Sequence, residues 1–292
     1  MNSSEISSII SSTINEMFYK IFSSIDNNLY STLDNFTFID SDILNDSYFS
    51  DIFGLSSSEG ILLIANALIM GYLIYYSFRL LFSYLGVTEV ERPSHFIFKL
   101  IICSICMNFS LFICDEVIYL VSLISDSIRQ VGEFLFDCKI CFSTLISRLN
   151  TTLSINSNNI DVFSIDGIIK TIISVGLLYL VITYAVRYVL IKVFVLISPF
   201  AFLSLCNKST SILFKSWIKS FLSLLLIQTF VSIVLLLIFS LKISSNNIFS
   251  KFIVIAAIFI LIKSNHYVRE ILGGISSDVN LGLNNFKSII SK

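Results

Sequence analysis

The chain has 292 residues, 55% of them hydrophobic and only 13% charged, with 27 phenylalanines and a net charge of −1. Soluble domains average about 25% charged residues, and a nucleic-acid binder carries a basic stripe; this composition fits neither. The apolar runs are continuous, whereas a membrane barrel needs alternating segments of about 10 residues, so the sequence predicts an all-α, polytopic helical membrane protein.

Residues 1–58 are expected to lie outside the cytoplasm. They carry Glu5, Glu16, Asp26, Asp34, Asp40, Asp42, Asp46 and Asp51 against a single basic residue, Lys20. Ile6, Ile9, Ile10, Met17, Phe18, Ile21, Phe22, Ile25 and Leu29 recur at spacings of three and four, the period of an amphipathic helix. No basic stretch precedes an apolar core, so this is not a cleavable signal peptide. Such a helix lies on the membrane, packs on the chain's own bundle, or docks a partner.

The first span is expected at 59–82, where residues 60–78 are 19 consecutive uncharged positions, against the ~20 needed to cross ~30 Å of hydrocarbon. A cytoplasmic loop at 83–98 leads to a second span at 99–116, ending in Asp115 and Glu116. Those acids belong at the far interface, because ionisable groups deep in lipid are expensive; a proton-carrying pair is the sharper alternative. Residues 117–166 combine helical periodicity with both signs of charge, then a polar connector, and read as an extracytoplasmic amphipathic loop. They include Cys138 and Cys141, whose pairing in a disulfide stays open. His95 and His266 are far away in sequence, so no four-ligand zinc set emerges and no metal or cofactor is expected. Cys103, Cys106 and Cys114 read as small hydrophobes.

The third span is expected at 167–187 and the fourth at 220–241, the latter with 22 uncharged residues between Lys219 and Lys242. A weaker fifth is expected at 248–264, where Lys251 and Lys263 must snorkel outward. The tail 265–292 is basic. Lysines and arginines near span ends orient the chain: with the N-terminus outside, Arg79, Arg92, Lys99 and the tail fall in the cytoplasm.

Residues 188–219 pose the main topological question. If residues 188–206 crossed as a sixth span, Lys208, Lys215 and Lys219 would land outside, together with Lys263, Arg269, Lys287 and Lys292. The positive-inside bias favours a re-entrant or in-plane segment broken at Pro199, which removes a backbone donor and crowds the preceding turn. Irregular backbone at membrane depth must be buried in protein or line a watery cavity. Trp217, between Lys215 and Lys219, reads as an interfacial anchor. Gln228 reads as an amide bonded to a neighbouring helix.

In order, Arg187 ends a span, Ser198-Pro199 interrupts a long apolar stretch, Trp217 precedes the next span and Gln228 lies within it. This pattern resembles the core of TrbL-type (VirB-six-like) inner-membrane proteins of type IV secretion systems, notably those of Gram-positive conjugative elements. "KSNHYVREILGGISS", from Lys263, is similar to that family's post-membrane basic helix and glycine stop. The resemblance covers residues 165–280. The stretch from Pro199 to Trp217 is shorter than the family's, and Thr229 stands where a proline usually follows the glutamine.

The resemblance implies a homo-oligomeric ring in the cell membrane, working with other channel subunits and cytoplasmic ATPases, with DNA only as a passing substrate. Arg187, Pro199, Trp217 and Gln228 would be its structural or channel residues. The sequence has no G-x4-G-K-[ST], H-E-x-x-H or G-x-S-x-G, so no catalytic or cofactor-binding residue is expected and energy would come from partners. The rival reading is a secondary transporter or permease subunit, which would show paired broken helices in its two halves; the sequence offers one break, at Pro199. An intramembrane enzyme would need more than Lys99, Asp115, Glu116 and Lys170, which form no coherent constellation.

Overall fold

A computed structural model describes residues 3–54, 60–86, 92–152, 164–207, 210–241 and 248–272. Every regular element in them is helical: α1 (Ser3–Thr37), α2 (Ser47–Phe53), α3 (Ile61–Tyr84), α4 (Pro93–Asn108), α5 (Ser110–Phe136), α6 (Phe142–Thr152), α7 (Ile165–Leu203), α8 (Ser211–Ser240) and α9 (Ile248–Leu272). A 3-10 turn, Ser41–Leu44, joins α1 to α2, and another, Ser204–Cys206, extends α7. Local chemistry sets several ends. The Asp46 carboxylate accepts from the Tyr48 N–H to start α2, and Gly54 closes it in the left-handed region, φ +99°. Pro93 occupies the first turn of α4, where its missing N–H is harmless. The Ser164 hydroxyl accepts the Gly167 N–H and opens α7.

Four stretches are long and apolar enough to cross a membrane: Ile61–Tyr84, Gly167–Cys206, Ser211–Ser240 and Phe249–Ile271. The pair α4–α5, bent by 60° at a short break, makes a fifth if it counts as one span. The chain is therefore an all-α, multi-pass membrane protein. Helix α8 is central and packs on α5, α7 and α9. Its Trp217, Phe221, Leu224, Leu225, Val231 and Leu235 are buried. Helix α3 is the opposite case: Ala65 is its one buried side chain, and Leu63, Met70, Phe78 and Leu81 are exposed. In water such a surface would drive aggregation; in lipid it is at home.

Four expectations need correction. The segment 188–219 is not a re-entrant or in-plane element broken at Pro199, because residues 188–203 continue the helix that starts at Ile165. A separate sixth span has no helix of its own to occupy. Pro199 falls one turn before the helix end, so it removes one internal hydrogen bond where little helix remains to be lost. At 1.5 Å per residue, α7 is about 58 Å long, roughly twice the hydrocarbon thickness, so a single crossing leaves much of it projecting.

The expected second span, 99–116, straddles a bend. Helix α4 ends at Asn108, whose side-chain amide donates to the Ser104 carbonyl at 2.8 Å, a local bond that competes with helix continuation. Helix α5 then runs on to Phe136, and α6 follows, so much of the stretch expected as an amphipathic loop at 117–166 is packed helix. The expected fifth span, 248–264, is also short: α9 continues to Leu272.

All six cysteines are free thiols, Cys138 and Cys141 included. Cys141 Sγ lies 3.0 Å from Thr144 Oγ1. Residues 55–58, 87–91, 153–163, Lys208, Lys242 and the tail beyond Leu272, with its glycine stop, Lys287 and Lys292, lie outside the described residues.

Candidate functional site

The seam between α7 and α8 holds Arg187, Gln228 and Trp217 in two nodes, and Pro199 lies on α7 near the second. At the first, Arg187 is fully buried. Its Nε donates to the Leu224 carbonyl at 2.7 Å and Nη1 to the Thr37 carbonyl at 2.9 Å. Nη2 makes longer contacts, to the Leu225 carbonyl at 3.4 Å and Gln228 Oε1 at 3.5 Å. All four acceptors are neutral oxygens, so the guanidinium keeps an uncompensated positive charge. Thr37 ends α1, whose last carbonyls lack helical partners; a cation at that end also satisfies the helix dipole. Arg187 is thus the C-cap of a helix 150 residues earlier in the chain.

Gln228, 1% exposed, completes the node. Its Oε1 accepts the Ile39 N–H at 3.0 Å. That contact fixes the amide's orientation and leaves Nε2 buried without a hydrogen-bond partner. Beside it, Ser125 Oγ of α5 and Ser232 Oγ of α8 lie 2.7 Å apart, and the Ser232 hydroxyl donates to the Gln228 carbonyl at 3.0 Å. Arg129 of α5, paired with Asp126, stands over the Phe38 ring at 4.1 Å. Four elements therefore meet around the buried charge: the end of α1, α5, α7 and α8.

The second node holds Pro199 and Trp217. Trp217 Nε1–H donates to the Phe194 carbonyl at 3.0 Å, next to the Val195 carbonyl, which is the one Pro199 leaves without an N–H. Its ring stacks on Phe221 at 5.4 Å and meets Phe202 and Phe214, each at 5.7 Å. Trp217 is buried at 8% exposure. It is an internal fastener of the α7–α8 hairpin and not an exposed headgroup anchor.

Asp34, in the last turn of α1, holds the same region from the other side. Its carboxylate accepts the Phe142 N–H at 2.8 Å, the Ser143 N–H at 3.2 Å and the Ser143 hydroxyl at 2.6 Å, filling the orphan donors at the start of α6. Asp34→Ala should destabilise this junction by about 1–2 kcal/mol and speed amide exchange at Phe142 and Ser143, with Asp34→Asn retaining most protection. Unchanged exchange in Asp34→Ala would show that the cap carries no stability.

Asp34, Thr37, Ile39, Ser125 and Ser232 were not anticipated. Thr37 and Ile39 act through backbone atoms and leave no residue signature; Asp34 was one acid among eight. The residues considered for an intramembrane enzyme are dispersed. Lys99 is on α4, Asp115 and Glu116 on α5, and Lys170 is buried early in α7. Among the described residues no three His, Cys, Asp or Glu side chains form a group that could hold a metal ion. The site is structural and electrostatic: a fixed cation, an amide and two hydroxyls inside an apolar bundle. No protein-family model, curated protein or solved structure matches this chain.

Proposed function

We propose that the chain is an integral subunit of a conjugative type IV secretion channel, oligomerising in the cell membrane to help form the path for transferred DNA and protein. The observation that carries this reading is the meeting of Arg187 and Gln228 in one buried polar node on the α7–α8 seam, with Trp217 fastening the same two helices further along. These residues, with Pro199 on α7, carry the resemblance to TrbL-type proteins. A buried ionisable group in a membrane bundle is expensive, and function is the usual reason for it. The channel works without catalysis of its own: cytoplasmic ATPases supply energy, other channel subunits and further copies of the chain complete the ring, and DNA passes without a dedicated binding site.

Deleting the gene in its native host should abolish transfer of the conjugative element, and expression in trans should restore it. Normal transfer with loss of one solute's uptake would favour the permease alternative. That alternative calls for paired broken helices. The described residues hold one sharply bent pair, α4–α5, with no counterpart in the second half.

The acidic first segment and the basic tail place the N-terminus outside and the C-terminus in the cytoplasm. In intact cells, a cysteine introduced at Ser3 of an otherwise cysteine-free chain should react with an impermeant reagent, and one at Ser291 should not. The reverse pattern would invert the topology.

A further inference from the structure

Residues 38–46 carry irregular backbone and one 3-10 turn, yet Ile39 bonds Gln228, inside the uncharged run 220–241. Irregular backbone at that depth must be buried in protein or face a water-filled cavity, and this segment does both. Ile39, Ile43 and Leu44 are buried, whereas Asp40, Asp42 and Asp46 are exposed. Three exposed carboxylates cannot face hydrocarbon, so their side of the segment is wet.

We propose that residues 38–46 are a displaceable plug. They floor a water-filled vestibule, and their departure uncovers an anion-favouring cleft between α5, α7 and α8. What they cover is polar: Arg187, Gln228, Ser125 and Ser232. Gln228 Nε2, buried without a partner, offers donors that water or an anion takes once the segment lifts. Arg187, bonded to neutral oxygens alone, gives the cleft a positive field that repels cations. Beyond the apolar contacts of Ile43 and Leu44, the polar tie at the plug's far end is weak. Asp46 lies 3.8 Å from Lys192, with side-chain exposures of 48% and 24%, a pair of the kind that contributes little. The near end rests on the Ile39 N–H and the Arg187 cap of α1. This inference rests on the channel reading, but its test does not involve DNA.

The test uses the full chain in liposomes, with the six native cysteines replaced by alanine and Ser232→Cys as reporter. Water-soluble methanethiosulfonates of either charge report access. With the plug intact, labelling should be slow. Ile39→Pro removes the N–H that Gln228 accepts, and Asp46→Lys sets like charges together at the other end. Combined, they should speed labelling about tenfold or more, the equivalent of one hydrogen bond, and the negative reagent should outpace the positive one. Labelling that stays slow in the double variant, with native elution and helix content, would overturn the plug. If that variant fails to fold, Asp46→Lys alone carries the same comparison. A cysteine at Asp42 that resists labelling in the otherwise unaltered chain would overturn the vestibule. Faster labelling on plug release, with DNA transfer surviving deletion of the gene, would support the plug while refuting the conjugation reading.

Discussion

Arg187→Glu is expected to prevent assembly of the bundle, while Arg187→Met leaves a folded protein. The guanidinium points four donor contacts at the carbonyls of Thr37, Leu224 and Leu225 and at Gln228 Oε1. A carboxylate there would face four acceptors, with the Gln228 Nε2 amide as the one unpartnered donor beside it. Burying an unpaired ion costs several kcal/mol after relaxation, a large part of the ~5–15 kcal/mol that keeps a typical domain folded. Methionine matches much of the stem's length and carries no charge, so the desolvation penalty disappears with the hydrogen bonds.

The orphaned acceptors then differ in consequence. The Leu224 and Leu225 carbonyls keep their bonds within α8, and Gln228 Oε1 keeps the Ile39 N–H. The Thr37 carbonyl alone is stripped, at about 1–3 kcal/mol. Arg187→Lys should fall between the two, since an ammonium on a flexible stem cannot reproduce the planar fork. Denaturant titration of purified protein in detergent, with size-exclusion chromatography, ranks the series. An Arg187→Glu protein that elutes and melts like the parent would show that the arginine is not enclosed by those carbonyls.

Helix type and the approximate number of crossings were legible in the sequence because lipid leaves few choices: a long uncharged run must satisfy its backbone internally, and only a helix does so within one segment. The four polar landmarks were legible for a related reason. Arginine, glutamine, proline and tryptophan in apolar runs each demand an explanation, and Arg187 and Gln228 explain each other. The long-range closures could not be read. Arg187 is 150 residues from Thr37, and Gln228 is 189 from Ile39; at both sites the N-terminal partner is a backbone atom. Nothing in residue type marks which carbonyl will end up beside a buried guanidinium.

The acidic N-terminal segment is expected as an amphipathic helix on the membrane, on the chain's own bundle or on a partner, with its charges in water. Asp40, Asp42 and Asp46 obey that rule, but Ile39, Ile43 and Leu44 between them reach the core. The irregular backbone expected near Pro199 is absent, and residues 38–46 are the non-helical stretch that packs on the bundle. Proline was a misleading sign because a helix tolerates it within a turn of its end. The two residues that break regularity after α1, Phe38 and Ile39, look like ordinary strand or helix formers.

Pro199→Leu should leave topology unchanged, and Trp217→Ala should separate the α7–α8 hairpin. Helix α7 already runs through position 199, so restoring an N–H there adds a hydrogen bond without creating a crossing. A reporter fused near Lys215 should stay on the side it occupies in the parent. Trp217 is another matter. Its removal empties a site flanked by Phe202, Phe214 and Phe221, and large aromatic truncations cost about 3–5 kcal/mol. Trp217→Phe keeps most of the packing and loses the bond to the Phe194 carbonyl, at about 0.5–1.5 kcal/mol, since that carbonyl keeps its bond within α7. If the indole compensates the turn that Pro199 weakens, the two substitutions are coupled. A double-mutant cycle of Pro199→Ala with Trp217→Phe should then give an interaction energy of about 0.5–3 kcal/mol, with Trp217→Phe milder once the N–H at position 199 pairs the neighbouring Val195 carbonyl and firms the turn. Additive effects would separate the two residues and leave Trp217 as packing alone. A reporter that changes sides in Pro199→Leu would return the proline to the topological role that the continuous helix denies it.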